Sequence, residues 1–158
     1  MSPKQENAPL ELDIQRPFDG PEVPDNELFR QWAEMAIAES ANAMLNIRIV
    51  GTDEGRDLNK CWRGRDSATN VLSFPASVPP AGDLRVLGDI VLCAPVVAQE
   101  AAEQGKPVEH HWAHLTIHGL LHLLGFDHTT ATQAEVMESR EIELLEQLGI
   151  PNPYDLKS

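Results

Sequence analysis

Cysteine is scarce in this chain of 158 residues, which contains only Cys61 and Cys93. Two isolated cysteines without Cys-x-x-Cys spacing exclude a disulfide framework and a cysteine-ligated zinc site. Long apolar runs are also missing. No charged start followed by an apolar stretch predicts a signal peptide, and the most apolar helical stretch is interrupted by histidines and is too short to span a membrane. We therefore expect a cytoplasmic protein that binds no membrane.

Basic residues are few as well, because 12 lysines and arginines stand against 25 aspartates and glutamates, for a formal net charge of −13. This negative charge repels RNA at long range. Any attraction for RNA therefore has to come from a local group of basic residues or a metal. Many acidic residues fall in one run near the start and another in a late helical stretch. We interpret the late run as a solvated face; it comprises Glu135, Glu138, Glu141, Glu143 and Glu146.

The chain does contain a group of histidines, in the stretch His-Gly-Leu-Leu-His-Leu-Leu-Gly-Phe-Asp-His over residues 118–128. His118 and His122 are four residues apart and share one face of a helix. Neutral imidazole is a standard zinc ligand. Gly125 accepts the left-handed backbone that ends a helix, which lets His128 turn back toward the pair. We predict that His118, His122 and His128 bind one Zn²⁺ and leave an open coordination position.

His114 continues the same helical stretch but is a poorer third ligand. Eight residues separate it from His122, which is about 12 Å of helix, whereas a zinc–nitrogen bond measures about 2.0–2.1 Å. We expect His114 to support a ligand, contact the substrate or pack in the core. Asp89 or Asp127 is a candidate to fix a histidine tautomer through a hydrogen bond, and Asp127 alternatively shapes the turn.

The histidine spacing is that of the metzincin signature His-Glu-x-x-His-x-x-Gly-x-x-His, with Gly119 in place of glutamate. In zinc proteases this glutamate is the general base for the metal-bound water. Glycine cannot transfer a proton, so proteolysis by the usual route is disfavoured. Three neutral ligands leave a charge of about +2 on the site, which suits an anionic substrate.

Three blocks of this sequence together resemble the YbeY family of metal-dependent endoribonucleases, also called ribosomal RNA maturation factors. The first is the histidine stretch at 118–128. The second, over residues 58–75, ends in Thr-Asn-Val-Leu-Ser-Phe-Pro, and the third is Gly88-Asp89-Ile90. The resemblance runs from about residue 57 to Met137. It implies a single-strand-specific endoribonuclease that matures the 3′ end of small-subunit ribosomal RNA and acts in ribosome quality control.

The resemblance also implies that Arg63, rather than Arg65, is functional. A planar guanidinium suits bidentate contact with phosphate oxygens. We predict that Arg63 binds the substrate and acts in catalysis by stabilising charge on the non-bridging oxygens. His118 is predicted to be catalytic as well as a metal ligand. Lys60, Arg65 and Arg85 would extend the positive patch, and Asn70 and Ser73 are candidates to line the cleft.

Several functional alternatives stay open at this point. The nucleophile is either water activated by zinc, or the RNA 2′-hydroxyl activated by the metal or by His114. The implied partners are ribosomal RNA and ribosomal particles, with ribosomal proteins or assembly GTPases as further ones. A first rival reading is a non-catalytic ribosome assembly factor with a structural zinc. A second is a metzincin-like metallopeptidase.

Sequence periodicity predicts the elements of the fold. Alternation with period two predicts strands at residues 10–14 and 45–49, and further strands are expected at 70–74 and 85–92. Helices are predicted at 25–40 and 53–62, between Pro95 and Gly105, from Pro107 through the metal histidines, and after a capping box of Thr132 and Glu135. We expect one α+β domain over residues 9–158, after a flexible tail at residues 1–8. About four strands form a mixed sheet packed with helices, and the metal site lies at the end of a central helix.

Overall fold

The computed structural model describes residues 10–37, 42–76 and 85–154. In these ranges the strands are β1 (Leu10–Gln15), β2 (Ala43–Val50), β3 (Val71–Pro75) and β4 (Arg85–Cys93). The helices are α1 (Asn26–Ile37), α2 (Thr52–Arg63), α3 (Ala94–Gln104), α4 (Val108–Leu123) and α5 (Ala131–Gln147). The predicted α+β class with a four-stranded mixed sheet is confirmed. The predicted tail at residues 1–8 lies outside the described residues.

The sheet has the order β1-β2-β4-β3, with β1, β2 and β4 parallel and β3 antiparallel to β4 at one edge. The pairing of β2 with β4 skips Leu87, which makes a bulge in β4. The next residue, Gly88, has φ +133°, and a Cβ there would lie 2.2 Å from the carbonyl oxygen of Phe74. Only glycine fits this backbone and this close approach, which explains the glycine of the Gly-Asp block.

Helix α4 is the central helix, since it contacts α1, α3, α5 and the strands β3 and β4. Its side chains are buried on most sides, as expected for a helix that is apolar nearly all round. The buried apolar residues are Trp112, Ala113, Leu115, Ile117, Leu120, Leu121 and Leu123. None of the helices in the described part of the chain is long and apolar enough to cross a membrane.

Helices cover both faces of the sheet. On one face, β-strand residues such as Ile47 and Ile90 belong to the main core together with residues of α1, α4 and α5. On the other face, Leu72 and Val91 form a smaller cluster with Leu58 of α2. The two clusters follow from the alternation of side chains along each strand. The end of α2 is thereby brought near the edge strand β3.

Helix ends follow the predicted signals in most cases, but not at α5. Thr130, in extended backbone, caps this helix. Its Oγ1 accepts a hydrogen bond from the Gln133 backbone N–H at 3.1 Å, and Gln133 Oε1 accepts one from the Thr130 N–H at 3.2 Å. The predicted capping box of Thr132 and Glu135 is wrong, because Thr132 already lies in the first turn of the helix.

Candidate metal centre and cleft

The three histidines predicted as metal ligands lie together in the structure. His118 and His122 stand one turn apart on α4, which ends at Leu123; Gly125 then adopts φ +108° and His128 returns toward the pair. Ring centroids are 4.8 Å apart for His118 and His122, 4.7 Å for His122 and His128, and 5.6 Å for His118 and His128. One ring nitrogen from each residue lies within 4.8 Å of the others.

The turn that carries His128 is fixed by local hydrogen bonds. The backbone N–H of Phe126 donates to the carbonyl oxygen of Leu121 at 2.9 Å, and the N–H of His128 donates to Asp127 Oδ1 at 2.7 Å. Asp127 therefore shapes the turn, which is the second of the two roles predicted for it. Asp89 instead accepts a hydrogen bond from Asn46 Nδ2 at 2.8 Å, so no observed contact supports a role for it beside a histidine.

Glu141 of α5 lies directly behind His118, with no exposed surface. Its carboxylate accepts hydrogen bonds from His118 Nδ1 and from the hydroxyl of Tyr154. Burial acts to raise the pKa of Glu141, but its neighbours His114, His118 and Tyr154 outweigh burial and lower this pKa to about 2. Glu141 is therefore ionised at neutral pH.

The interpretation of the late acidic run as a solvated face is thus wrong for Glu141. A signal was available in the sequence, because Met137, Glu141, Leu144 and Leu145 recur at spacings of three and four on one side of α5 and are all buried. A single acidic residue in such an apolar stripe indicates a paired buried carboxylate. Tyr154, which comes after α5, gave no comparable signal.

The protonation states of the histidines suit metal binding. An ionised carboxylate only accepts hydrogen bonds, so His118 donates from Nδ1, and Nε2 is its ring nitrogen that remains for a metal. Burial, together with repulsion from His118 and His128, lowers the pKa of His122 and favours its neutral form. Within the described ranges, His114 and Glu141 form a second group with His118 whose possible ligand atoms lie within 4.8 Å of one another, but neither joins His122 and His128. Three imidazole donors without a fourth fit a divalent cation such as zinc with an open position.

His114 lies next to Glu141 and to the predicted ligand His118, with ring centroids of the two histidines 6.2 Å apart. Its Nε2 is 3.3 Å from the hydroxyl oxygen of Tyr154 and 3.9 Å from Glu141 Oε1. Its side chain is mostly buried, at 13% exposure. This position matches the expectation that His114 supports a ligand or packs, since it does not share a group with His122 and His128.

An open cleft of about 770 Å³ lies in front of the three histidines. Arg63, the last residue of α2, and Arg65 both line it, on either side of Gly64, whose φ of +73° ends the helix. Asn70 and Ser73 line it too, as predicted, and Asp127 contributes a carboxylate. Further lining residues are Asn59, Thr69, Phe126 and Thr129, whereas Lys60 and Arg85 are not among them.

Gly119 faces the sheet rather than the cleft. A Cβ at this position would lie 3.0 Å from Ser73 Oγ, 3.2 Å from Ile90 Cγ2 and 3.3 Å from Val71 Cγ2. Ser73 also donates a hydrogen bond from Oγ to the Gly119 carbonyl oxygen at 3.1 Å. The close packing of α4 on β3 and β4 therefore opposes a side chain at this position. The absence of the protease base is thus built into the helix–sheet interface.

Comparison with known proteins identifies the family. The sequence profile described as Endoribonuclease YbeY matches residues 20–149 of this chain. The chain belongs to the YbeY endoribonuclease family. The Endoribonuclease YbeY of Pseudomonas fluorescens is 55% identical over 147 residues, which cover 92% of this chain and 96% of that protein. The Endoribonuclease YbeY of Pseudomonas syringae pv. tomato is 54% identical, with 92% of this chain and 88% of that protein covered.

A solved structure shares the fold of this chain. The solution structure of a protein from Thermotoga maritima superposes with a TM-score of 0.60 at 25% sequence identity, covering 94% of this chain and 100% of that one. The predicted YbeY resemblance is confirmed, and it extends well beyond residues 57–137. Membership makes the chain an endoribonuclease, an enzyme that cleaves phosphodiester bonds of RNA.

Proposed function

We propose that this protein cleaves single-stranded RNA with one Zn²⁺ held by His118, His122 and His128, and that Arg63 binds the scissile phosphodiester. The observation that carries this proposal is the cleft in which arginines line the wall and the three clustered histidines lie together. We further propose that residues 9–158 act as one domain. The cellular role is maturation of the 3′ end of small-subunit ribosomal RNA and ribosome quality control.

The chemistry divides between the metal and the protein. A divalent cation held by His118, His122 and His128 would supply Lewis-acid chemistry and would bring the pKa of a coordinated water toward about 7. Imidazole nitrogens favour zinc over magnesium, which prefers oxygen ligands. Arg63 can donate two hydrogen bonds to phosphate oxygens and stabilise the negative charge that develops on them. The uncharged ligands leave the positive charge of the site available to the phosphodiester.

The choice of nucleophile is testable from the products. His114 does not line the cleft and contacts Tyr154 instead, so its position does not favour activation of an RNA 2′-hydroxyl. We expect water to attack and the products to carry linear phosphate ends. A 2′,3′-cyclic phosphate end would instead indicate attack by the RNA hydroxyl.

Two rival functions fit the site less well. A non-catalytic assembly factor with structural zinc is expected to surround the metal with four protein ligands, whereas three donors are grouped here in the described ranges. A metzincin-like peptidase needs a base at position 119, which is a glycine packed closely against Ser73, Ile90 and Val71. Ribosomal particles are the proposed partners, with ribosomal proteins or assembly GTPases as further ones.

The decisive experiment combines metal content with cleavage of single-stranded RNA for the wild type, His122→Ala and Arg63→Ala. We expect His122→Ala to lose both metal and cleavage. Arg63→Ala should retain metal and lose cleavage by about 100-fold or more. The matched control is Arg56→Ala, because Arg56 is an exposed arginine on the same helix that pairs with Asp66.

The proposal fails if Arg63→Ala cleaves RNA at the wild-type rate or if metal-free protein retains full activity. A metal-free His118→Ala protein that folds and still restores ribosome maturation would favour the assembly-factor reading.

A further inference from the structure

We infer that Glu141 and Tyr154 are positioning residues for the metal ligand His118, so that the segment after α5 is part of the metal centre. This inference rests on the proposed metal site. Glu141 and Tyr154 lie outside the cleft that His118, His122 and His128 line. Their connection to the site runs through the hydrogen bond between Glu141 and His118 Nδ1.

The hydrogen bonds of this group determine which of its atoms donate and which accept. The carboxylate of Glu141 accepts from both His118 Nδ1 and the Tyr154 hydroxyl. Because the single hydroxyl proton of Tyr154 is thereby used, its oxygen can only accept from His114 Nε2, 3.3 Å away. With Nδ1 of His118 hydrogen-bonded to Glu141, Nε2 is the ring nitrogen that remains for a metal.

The chain after α5 is folded so that Tyr154 reaches this group. Beyond the end of α5, Gly149 adopts φ +79°, and the N–H of Ile150 donates to the Leu145 carbonyl oxygen at 2.9 Å. Asn152 Oδ1 then accepts a hydrogen bond from the Tyr154 N–H at 2.8 Å. The Tyr154 ring stands edge-on to the His114 ring, with centroids 5.5 Å apart. These contacts hold the C-terminal segment against α4.

A buried carboxylate that fixes a ligand ring contributes to metal affinity. Residues that hydrogen-bond to a metal-ligating histidine typically change metal affinity by 10- to 100-fold when they are replaced. Glutamine at position 141 has the same shape as glutamate but no charge. Its amide has one oxygen that accepts hydrogen bonds and one nitrogen that only donates them, so it cannot replace both carboxylate oxygens as acceptors. Loss of the Tyr154 hydroxyl removes one hydrogen bond to the carboxylate while leaving the ring in place.

The test measures the zinc dissociation constant of the metal-free, full-length chain by competition with a chelator. We expect Glu141→Gln to bind zinc about 10- to 100-fold more weakly than the wild type, and Tyr154→Phe about fivefold more weakly, as for one net hydrogen bond. The matched control is Glu146→Gln, because Glu146 is exposed on the same helix and undergoes the same change in charge. It should bind zinc as the wild type does.

A second measurement separates positioning from a purely structural role. Nitrogen-15 NMR of the histidine rings in the metal-free protein should show the Nδ1–H tautomer of His118 in the wild type and a mixture of both tautomers in Glu141→Gln. Thermal unfolding of each metal-free variant checks that it folds, and Tyr154→Phe provides the test if Glu141→Gln does not fold.

The inference is overturned if Tyr154→Phe and Glu141→Gln both bind zinc as tightly as the wild type, or if Glu146→Gln weakens binding equally. His118→Ala distinguishes this failure from that of the proposed function. If zinc binding depends on His118 but not on Glu141 or Tyr154, only the inference fails. If the wild type binds no zinc, the proposed metal site fails first.

Discussion

Among single residues, Gly119 connects the packing of the central helix with the chemistry of the site. Its missing side chain lets α4 approach β3, where Ser73 Oγ donates to the Gly119 carbonyl oxygen. The same missing side chain removes the general base that a zinc protease has at this position. Close packing of α4 on the sheet therefore opposes any side chain at this position, a carboxylate included.

Adding side-chain atoms at Gly119 should destabilise the fold. Replacing glycine by alanine within a helix gains about 1 kcal/mol, but overpacking a tight interface costs about 1–3 kcal/mol. We expect Gly119→Ala to lower the free energy of unfolding by about 1 kcal/mol and Gly119→Val by about 3 kcal/mol or more, measured by urea denaturation. The control Ala102→Val, at an exposed position of α3, should cost less than about 1 kcal/mol. Equal costs for the two valine variants would contradict the packing argument.

His111 should make stability depend on pH. It is only 3% exposed and bonds through Nε2 to Glu100 Oε1 at 2.8 Å. Burial lowers the pKa of His111 below its ordinary value of 6.5, and Glu100 offsets only part of this. As pH falls below about 6.5, the unfolded chain therefore takes up a proton before the folded protein does. The free energy of unfolding should fall by at most about 1.4 kcal/mol per pH unit in this window, and level off above it.

The measurement compares the wild type with His111→Gln, which keeps an amide donor for Glu100 but does not titrate. Denaturation curves between pH 5 and 8 are recorded with EDTA present, so that metal binding does not contribute to the proton balance. The difference in free energy of unfolding between the wild type and His111→Gln should become smaller as pH falls. Parallel pH profiles for the two proteins would show that His111 does not cause the effect.

At the scale of elements, the cap of α5 matters because this helix starts just after His128 and carries Glu141. Thr130 caps the helix through a reciprocal pair of hydrogen bonds with Gln133. We expect Thr130→Ala to lower the free energy of unfolding by about 1 kcal/mol. Thr132→Ala, an exposed change two residues along the chain, should alter it by less than about 0.5 kcal/mol. Chemical denaturation of both variants checks this, and the reverse order would restore the capping box predicted from sequence.

Most elements could be predicted from periodicity and from glycine and proline signals. Strands β1 and β2 follow from alternation, and α3 follows from Pro95 and Gly105, since these patterns are local. The error at α5 has a local cause too, because Thr130 and Thr132 both stand three residues before a side chain able to complete a capping box. Only the backbone conformation decides between the two.

The candidate site was predictable only in part, for a physical reason. The three histidines are close in sequence, so helical geometry and one glycine suffice to bring them together. Glu141 and Tyr154 reach His118 and His114 across a helix pair and a folded-back segment. Contacts of this kind depend on how α5 packs against α4, which periodicity does not specify. The one sequence signal for the contact between Glu141 and His118 is an acidic residue in an otherwise apolar stripe of α5.

For the whole molecule, the formal net charge of −13 opposes the approach of RNA, so binding has to come from the cleft itself. Among the described residues that line the cleft, the positive groups are two arginines and the proposed metal site. The one carboxylate among these lining residues is that of Asp127. Glu141 is buried behind His118 and does not line the cleft. The attraction for a phosphodiester is thus short-ranged, and it competes with the repulsion of the remaining surface.

This distribution of charge predicts a weak dependence of RNA affinity on salt. For single strands, the logarithm of the binding constant falls against the logarithm of salt concentration with a slope of about −0.7 per phosphate neutralised. In the metal-free protein, two arginines in the cleft therefore give a slope of about −1.4, and Arg63→Ala should reduce it to about −0.7. The slopes come from fluorescence anisotropy with a short single-stranded RNA, with Arg56→Ala as the control. A slope several times steeper in the wild type would mean that basic residues outside the cleft also bind the strand.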